Sequence, residues 1–220
     1  MNWKLPNQLT VARLVLAGIF FALLAVYELP PRACGYLLNV AFALYIVAGI
    51  TDVLDGYLAR KWDLTTAFGR ITDPFVDKVL VCGAFALLAA SNFAFNGQQC
   101  SFETTLRAWM TGHMASGVQG WMVVVVMGRE FIVSGVRGYS ESQGQMFPAT
   151  VWGKLKMFTQ SAAICVVLFQ LANLPTAPWA IVVKLVMVWL SVFVTVVSGL
   201  AYVNKARSLL AAETERPVEP

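Results

Sequence analysis

Six apolar runs, near residues 10–28, 33–58, 74–93, 118–140, 155–173 and 178–203, dominate this chain. Each approaches or exceeds the ~20 residues a helix needs to cross a bilayer. The runs are continuous and do not alternate with period two, which excludes a membrane β-barrel. Charged residues make up 13% of the chain and hydrophobic ones 58%, whereas soluble domains carry roughly 25% charged residues. A soluble fold of this length would need more charge to clothe its surface. The sequence therefore predicts an all-α integral membrane protein with six transmembrane helices. The runs are separated by Leu29-Pro30-Pro31, the polar stretch 61–72, Ser91 to Gly117, Gly144 to Gly153, and Asn173 to Pro178. There is no internal repeat. One membrane domain is expected over residues 1–208, followed by a short polar tail over 209–220.

Basic residues set the orientation. With the N-terminus inside, the inner segments hold Lys4, Arg60, Lys61, Arg70, Lys154, Lys156, Lys205, Arg207 and Arg216, while the outer loops hold only Arg32 and Arg107. This is the positive-inside pattern, and it predicts a multi-pass protein of the inner (cytoplasmic) membrane with both termini in the cytoplasm. The net charge of +4 is thus mainly a topology signal. No basic patch is interleaved with aromatics, so no nucleic-acid partner is expected. Cys34 and Cys100 both fall on the outer side, where disulfides persist, and without CxxC spacing zinc is not expected. His113 is read as facing water and Lys184 as snorkelling to the outer interface.

Against this apolar background stand four aspartates in one short stretch, Asp52-x-x-Asp55-Gly56-x-x-Ala59-Arg60 and then Gly69-x-x-x-Asp73-x-x-x-Asp77. Carboxylates at the edge of hydrocarbon are expensive and repel one another, so the cluster calls for a cation. Each helical residue advances by about 100°, which places Asp52, Asp55, Gly56, Ala59 and Arg60 within an arc of about 140°. That face carries two carboxylates, two residues with almost no side chain, and a guanidinium. Asp73 either shares a helix face with Asp77 or caps a helix starting at Pro74, since a residue before proline avoids the α region. Carboxylates are hard oxygen ligands suited to Mg²⁺ or Mn²⁺. Four of them can hold two such ions, the arrangement that clamps the attacking and leaving oxygens in phosphoryl displacement.

The pattern D-x2-D-G-x2-A-R-x8-G-x3-D-x3-D, complete from Asp52 to Asp77, resembles the motif of the CDP-alcohol phosphatidyltransferases. That resemblance implies a six-helix membrane bundle with the motif on the second helix, the following loop and the third helix. It implies that Asp52, Asp55, Asp73 and Asp77 ligand two metal ions, and that Asp77 also acts as catalytic general base. It places Gly56, Ala59, Arg60, Thr66 and Gly69 around CDP-diacylglycerol. The opening Leu5-Pro6-Asn7-Gln8-Leu9-Thr10-Val11-Ala12-Arg13 and the segments Gly128-Arg129-Glu130 to Arg137 and Gly153-Lys154-Leu155-Lys156-Met157 resemble family members that use glycerol 3-phosphate. By this likeness Asn7, Thr10 and Arg13 join the donor site, the acceptor is glycerol 3-phosphate, CMP is released, and the protein is a homodimer. The outer stretch from Phe93 to Gly117 is longer than the resemblance leads one to expect.

The residues themselves support a basic acceptor site. Arg129 and Glu130 fall mid-span, where a bare charge is costly, and Arg137 follows two turns later on the same side of the helix. Arginine matches phosphate with two parallel hydrogen bonds. Arg129 and Arg137 are accordingly candidate acceptor-phosphate residues; Lys154 and Lys156, which begin a span on the cytoplasmic side, either join them there or are ordinary positive-inside charge. An ion-coupled transporter is the rival from another class. Transporters carry repeats and broken helices at the membrane midplane, whereas here the acids gather at one surface.

Overall fold

The structure, a computed structural model, describes residues 5–27, 35–61, 67–94, 114–142 and 151–214, with side chains over 11–27, 35–52, 75–94, 114–140 and 152–204. Six long helices account for nearly all of it: α1 (Leu5–Val26), α2 (Gly35–Lys61), α3 (Ala67–Leu88), α4 (Gly120–Ser142), α5 (Val151–Asn173) and α6 (Pro178–Thr214). Three hold stretches long and apolar enough to cross a bilayer, namely Gly35–Asp52, Trp152–Asn173 and Pro178–Asn204, and α1 has a shorter one, Val11–Val26. In α3 and α4 charge interrupts the apolar run, through Arg70, Asp73, Asp77 and Lys78 in one and Arg129, Glu130 and Arg137 in the other. The helices least like lipid-soluble rods are thus those carrying candidate chemistry.

Two boundaries differ from expectation. α3 begins at Ala67, so Asp73 lies inside a helix, not at its cap, and is in register with Asp77 one turn on. Pro74 is tolerated there although it removes one backbone donor from the helix ladder. α6 runs on to Thr214, so the first part of the expected polar tail is helical. Ala206 to Ala212 is rich in strong helix formers, which propagate the preceding helix.

The helices pack in a ring, with α1 against α2, α2 against α5, α5 against α6, α6 against α4, α4 against α3 and α3 back against α1. α3 also meets α5, so these two form an inner wall. Phe20, Leu24, Leu38, Phe85, Leu88, Met122, Ile164, Leu168 and Val188 are buried in one core. Small residues at Ala41, Ala48, Ala84 and Ala163 let backbones approach closely. Outward-facing side chains are apolar as well: Val15, Ile19, Val47, Val124, Phe131, Val182 and Phe193 are all exposed. Apolar residues on both the inside and the outside mark a bundle made for lipid.

At the end of the bundle away from Asp52 and Asp77, polar side chains satisfy backbone groups left over where helices stop. Ser116 Oγ donates to Leu88 O at 2.6 Å and accepts the Val118 N–H at 3.2 Å. Asn92 Nδ2 donates to Ala25 O at 2.9 Å, and Tyr27 stacks on Phe93 with centroids 5.2 Å apart. Gly117 turns the chain with φ +75, a conformation favouring glycine. Lys184 does not snorkel. It is buried and donates from Nζ to Ala115 O at 2.5 Å. The two ends of the stretch between α3 and α4 are joined by an Ala94–Met114 bridge; residues 95–113, with Cys100 and His113, lie outside the described residues, as does Cys34.

Candidate active site

α2 and α3 bring the aspartates to the same end of the bundle. Asp52 and Asp77 both line one cavity of about 770 Å³. Its walls come from α1 (Arg13), α2 (Tyr45 to Asp52), α3 (Asp77, Leu80) and α5 (Met157 to Cys165). Arg13, only 2% exposed, reaches from α1 to Asp52, Nη1 to Oδ1 2.5 Å, while the Asp52 side chain is 41% exposed. A buried guanidinium thus holds a carboxylate at the cavity mouth, and its own charge is compensated by that pairing. Deeper in, Tyr45 Oη donates to Ser161 Oγ at 3.2 Å. The rest of the lining is almost entirely apolar, and Ile50 and Phe158 at the rim are exposed on the outer face of the bundle. The cavity therefore has an acidic mouth and an apolar body that opens sideways between α2 and α5.

Asp55, Gly56, Ala59 and Arg60 lie on the final turns of α2, in helical register with Asp52. Asp73 and Gly69 lie on α3, and Asn7 and Thr10 on α1. Their side chains, and all of Thr66, lie outside the described residues. Among the described residues no three His, Cys, Asp or Glu side chains converge. The donors that are described nevertheless fit a hard divalent cation, because two carboxylates face one cavity in whose lining, among the described residues, Arg13 is the one cation.

On the other side of the α3–α5 wall lies a second charged cluster. Lys156 on α5 is buried and forms an ion pair with Glu130 on α4. The same carboxylate oxygen accepts from Arg129 Nη1 at 3.1 Å. Arg129 Nη2 donates to Ser198 Oγ at 2.7 Å, and its guanidinium lies over the Tyr202 ring, 5.3 Å from the centroid. Arg137 Nη2 donates to Tyr202 Oη at 3.2 Å. Lys78, beside Asp77 on α3, donates to Ser134 Oγ at 2.7 Å. Of the four acceptor candidates, Arg129, Arg137 and Lys156 join this cluster, and Lys154 is exposed outside it. Two residues apart on a helix means about 200° of rotation, so α5 could not turn both lysines inward.

Residues one step apart link the cavity to the cluster. Asp77 faces the cavity and Lys78 the basic cluster, while Met157 faces the cavity and Lys156 the cluster. Asp77 is within electrostatic reach of Asp52, Lys156, Glu130 and Arg13. Sequence reasoning assigned no role to Lys78, Ser198 or Tyr202. An isolated serine or tyrosine in an apolar helix carries no signal of what it will meet, whereas Lys78 next to Asp77 was a charge that could have been asked for a partner.

Fold and site together define a membrane-embedded helical bundle with an acid-mouthed apolar cavity beside a buried cation cluster. The sequence profile described as CDP-alcohol phosphatidyltransferase matches residues 3–197, and the chain belongs to that family. The family is membrane-integral and divalent-metal dependent. The chain is 31% identical over 214 residues to the CDP-diacylglycerol–glycerol-3-phosphate 3-phosphatidyltransferase of Bacillus subtilis (strain 168), covering 92% of this chain and 95% of that one. It is 29% identical over 212 residues to the protein of the same name from Haemophilus influenzae, covering 96% and 97%. The Rickettsia typhi protein of that name is 28% identical over 206 residues, covering 93% and 98%.

Proposed function

We propose that this chain transfers the phosphatidyl group of CDP-diacylglycerol to sn-glycerol 3-phosphate, giving phosphatidylglycerophosphate and CMP. The observation that carries this reading is the α3–α5 wall, with an acidic, laterally open apolar cavity on one side and buried cations on the other. An amphiphilic donor suits the first compartment: its acyl chains enter between α2 and α5 while its nucleotide head stays at the aspartates. A small anion suits the second. Relatives named for this reaction align over nearly the whole chain.

Asp52, Asp55, Asp73 and Asp77 would hold two divalent ions, Mg²⁺ or Mn²⁺, which neutralise the donor's pyrophosphate and the charge gathering on the leaving group. Arg13 fixes Asp52 in place. Gly56 and Ala59 leave room for the CDP moiety, with Arg60, Thr66, Gly69, Asn7 and Thr10 around it. Arg129, Arg137 and Lys156 receive the acceptor's phosphate, and exposed Lys154 draws it in from solvent. Asp77 takes the proton from the acceptor hydroxyl. That oxygen bonds to the β-phosphorus, which carries diacylglycerol, and the bond from this phosphorus to the CMP oxygen breaks. The catalytic domain is residues 1–208, the protein crosses the inner membrane six times as a homodimer, and the site faces the cytoplasm.

The test is CMP release by purified protein given CDP-diacylglycerol and a panel of acceptors: glycerol 3-phosphate, inositol phosphate, serine and phosphatidylglycerol. Release with glycerol 3-phosphate is expected. Release with inositol phosphate and none with glycerol 3-phosphate overturns the acceptor assignment. Substrate flux into liposomes without CMP release points instead to a transporter.

A further inference from the structure

The basic cluster contains an anion that a simple phosphate receptor would not need. Among the described residues, two of its cations, Arg129 and Lys156, meet on the carboxylate of Glu130, which is 7% exposed, while Lys78 and Arg137 are held nearby by Ser134 and Tyr202. If attraction of a phosphate were the only requirement, this carboxylate would work against it. Its geometry suggests another task. One oxygen, Oε1, receives both Arg129 Nη1 from its own helix and Lys156 Nζ from α5. Two cations aimed at one ligand repel each other, and a shared carboxylate holds them at a fixed spacing.

The surrounding contacts fix the turn of α4 that carries Glu130. Its carbonyl accepts Ser134 Oγ at 2.6 Å, and Ser134 Oγ in turn accepts Lys78 Nζ from α3. Arg129 is braced from the opposite side by Ser198 and Tyr202 of α6. With both ends of its guanidinium occupied, Arg129 still has an Nε without a hydrogen-bond partner among the described residues, though the residue is 8% exposed, and so does Arg137. Such buried donors are destabilising if left empty and strong if an oxyanion arrives.

We propose that Glu130 is a positioning residue for the acceptor. Its carboxylate bridges Lys156 on α5 to Arg129 on α4, and so sets the spacing at which these cations, with the free Nε donors of Arg129 and Arg137, receive a phosphomonoester. This rests on the reading that the cluster is the acceptor site.

The experiment compares wild type with Glu130→Gln and Glu130→Asp in the purified full chain. It measures KM for glycerol 3-phosphate and for CDP-diacylglycerol separately, together with the thermal midpoint. Glu130→Gln is expected to raise KM for glycerol 3-phosphate by about tenfold or more, the scale of one charge-assisted hydrogen bond, and to leave KM for CDP-diacylglycerol within about twofold. Glu130→Asp is expected to recover part of the loss. An unchanged KM for glycerol 3-phosphate, or equal rises in both KM values with a lowered midpoint, overturns the proposal. Should Glu130→Gln fail to fold, the Lys156→Gln single variant and the Glu130→Gln/Lys156→Gln pair, which removes both sides of the α4–α5 bridge and leaves Arg129 held by Ser198 and Tyr202, decide the matter. A double variant no worse in acceptor KM than Lys156→Gln is expected, because Glu130 acts through Lys156, and a further large rise overturns the proposal. Wild type that releases no CMP with glycerol 3-phosphate sinks the functional reading itself. An active wild type with an indifferent Glu130→Gln sinks only this inference.

Discussion

Asp77 and its neighbour Lys78 show how much one residue step can separate. On a helix, consecutive side chains diverge by about 100°, and here that rotation sends a carboxylate into the cavity and an ammonium into the basic cluster. If Asp77 is the general base, Asp77→Asn lowers kcat by about 10²–10⁴-fold. The amide is nearly isosteric and three of the four proposed carboxylate ligands remain, so the fold and most CDP-diacylglycerol binding persist; CMP release measured beside donor binding checks both. Normal turnover in the variant removes the general-base role. The place of this residue in an eight-position motif was legible in the sequence. Its relation to Lys156 and Glu130 across the wall was not, because those residues are about eighty and fifty positions away.

At the scale of elements, helix existence was readable from apolar run length, and helix ends were less so. The start of α3 at Ala67 and the extension of α6 to Thr214 both continue helix through polar sequence, where hydrophobicity gives no signal but propagation favours one more turn. How closely two helices approach was also hidden. α1 and α3 meet where Gly83 faces the ring of Phe21, and a Cβ built at Gly83 would lie 2.5 Å from Phe21 Cζ. Gly83→Val forces that ring or the helix aside, and the expected loss is about 1–3 kcal/mol of stability. A thermal or denaturant midpoint in detergent reads it out. A midpoint equal to wild type would mean that the ring moves freely and the contact does not set the α1–α3 spacing.

For the molecule as a whole, the ring of helices matters because it sets a cavity and a buried cation cluster on the two sides of one wall. The proposed lipid donor would enter the cavity from the side, past Ile50 and Phe158, which are exposed at its rim. Ala162 lines this cavity on α5, and Ala162→Trp is expected to weaken donor binding by about 1–3 kcal/mol through overpacking. The effect should be larger for long-chain than for short-chain CDP-diacylglycerol, with KM for glycerol 3-phosphate little changed. Equal sensitivity of both donors would argue against lateral entry of the chains.

By itself the sequence determined that the chain is a helical membrane bundle, that Asp52 and Asp55 share one helix face, and which family its motif belongs to. These are properties of single segments: apolar run length measures a bilayer, and helical periodicity fixes which residues point the same way. Only the tertiary structure decided what each face meets. It paired Arg13 with Asp52, buried Lys156 against Glu130 while leaving Lys154 exposed, and turned Lys184 inward to Ala115. A charge in an apolar helix must find a partner, yet the partner is chosen by packing between helices far apart in sequence, and no local pattern encodes that choice.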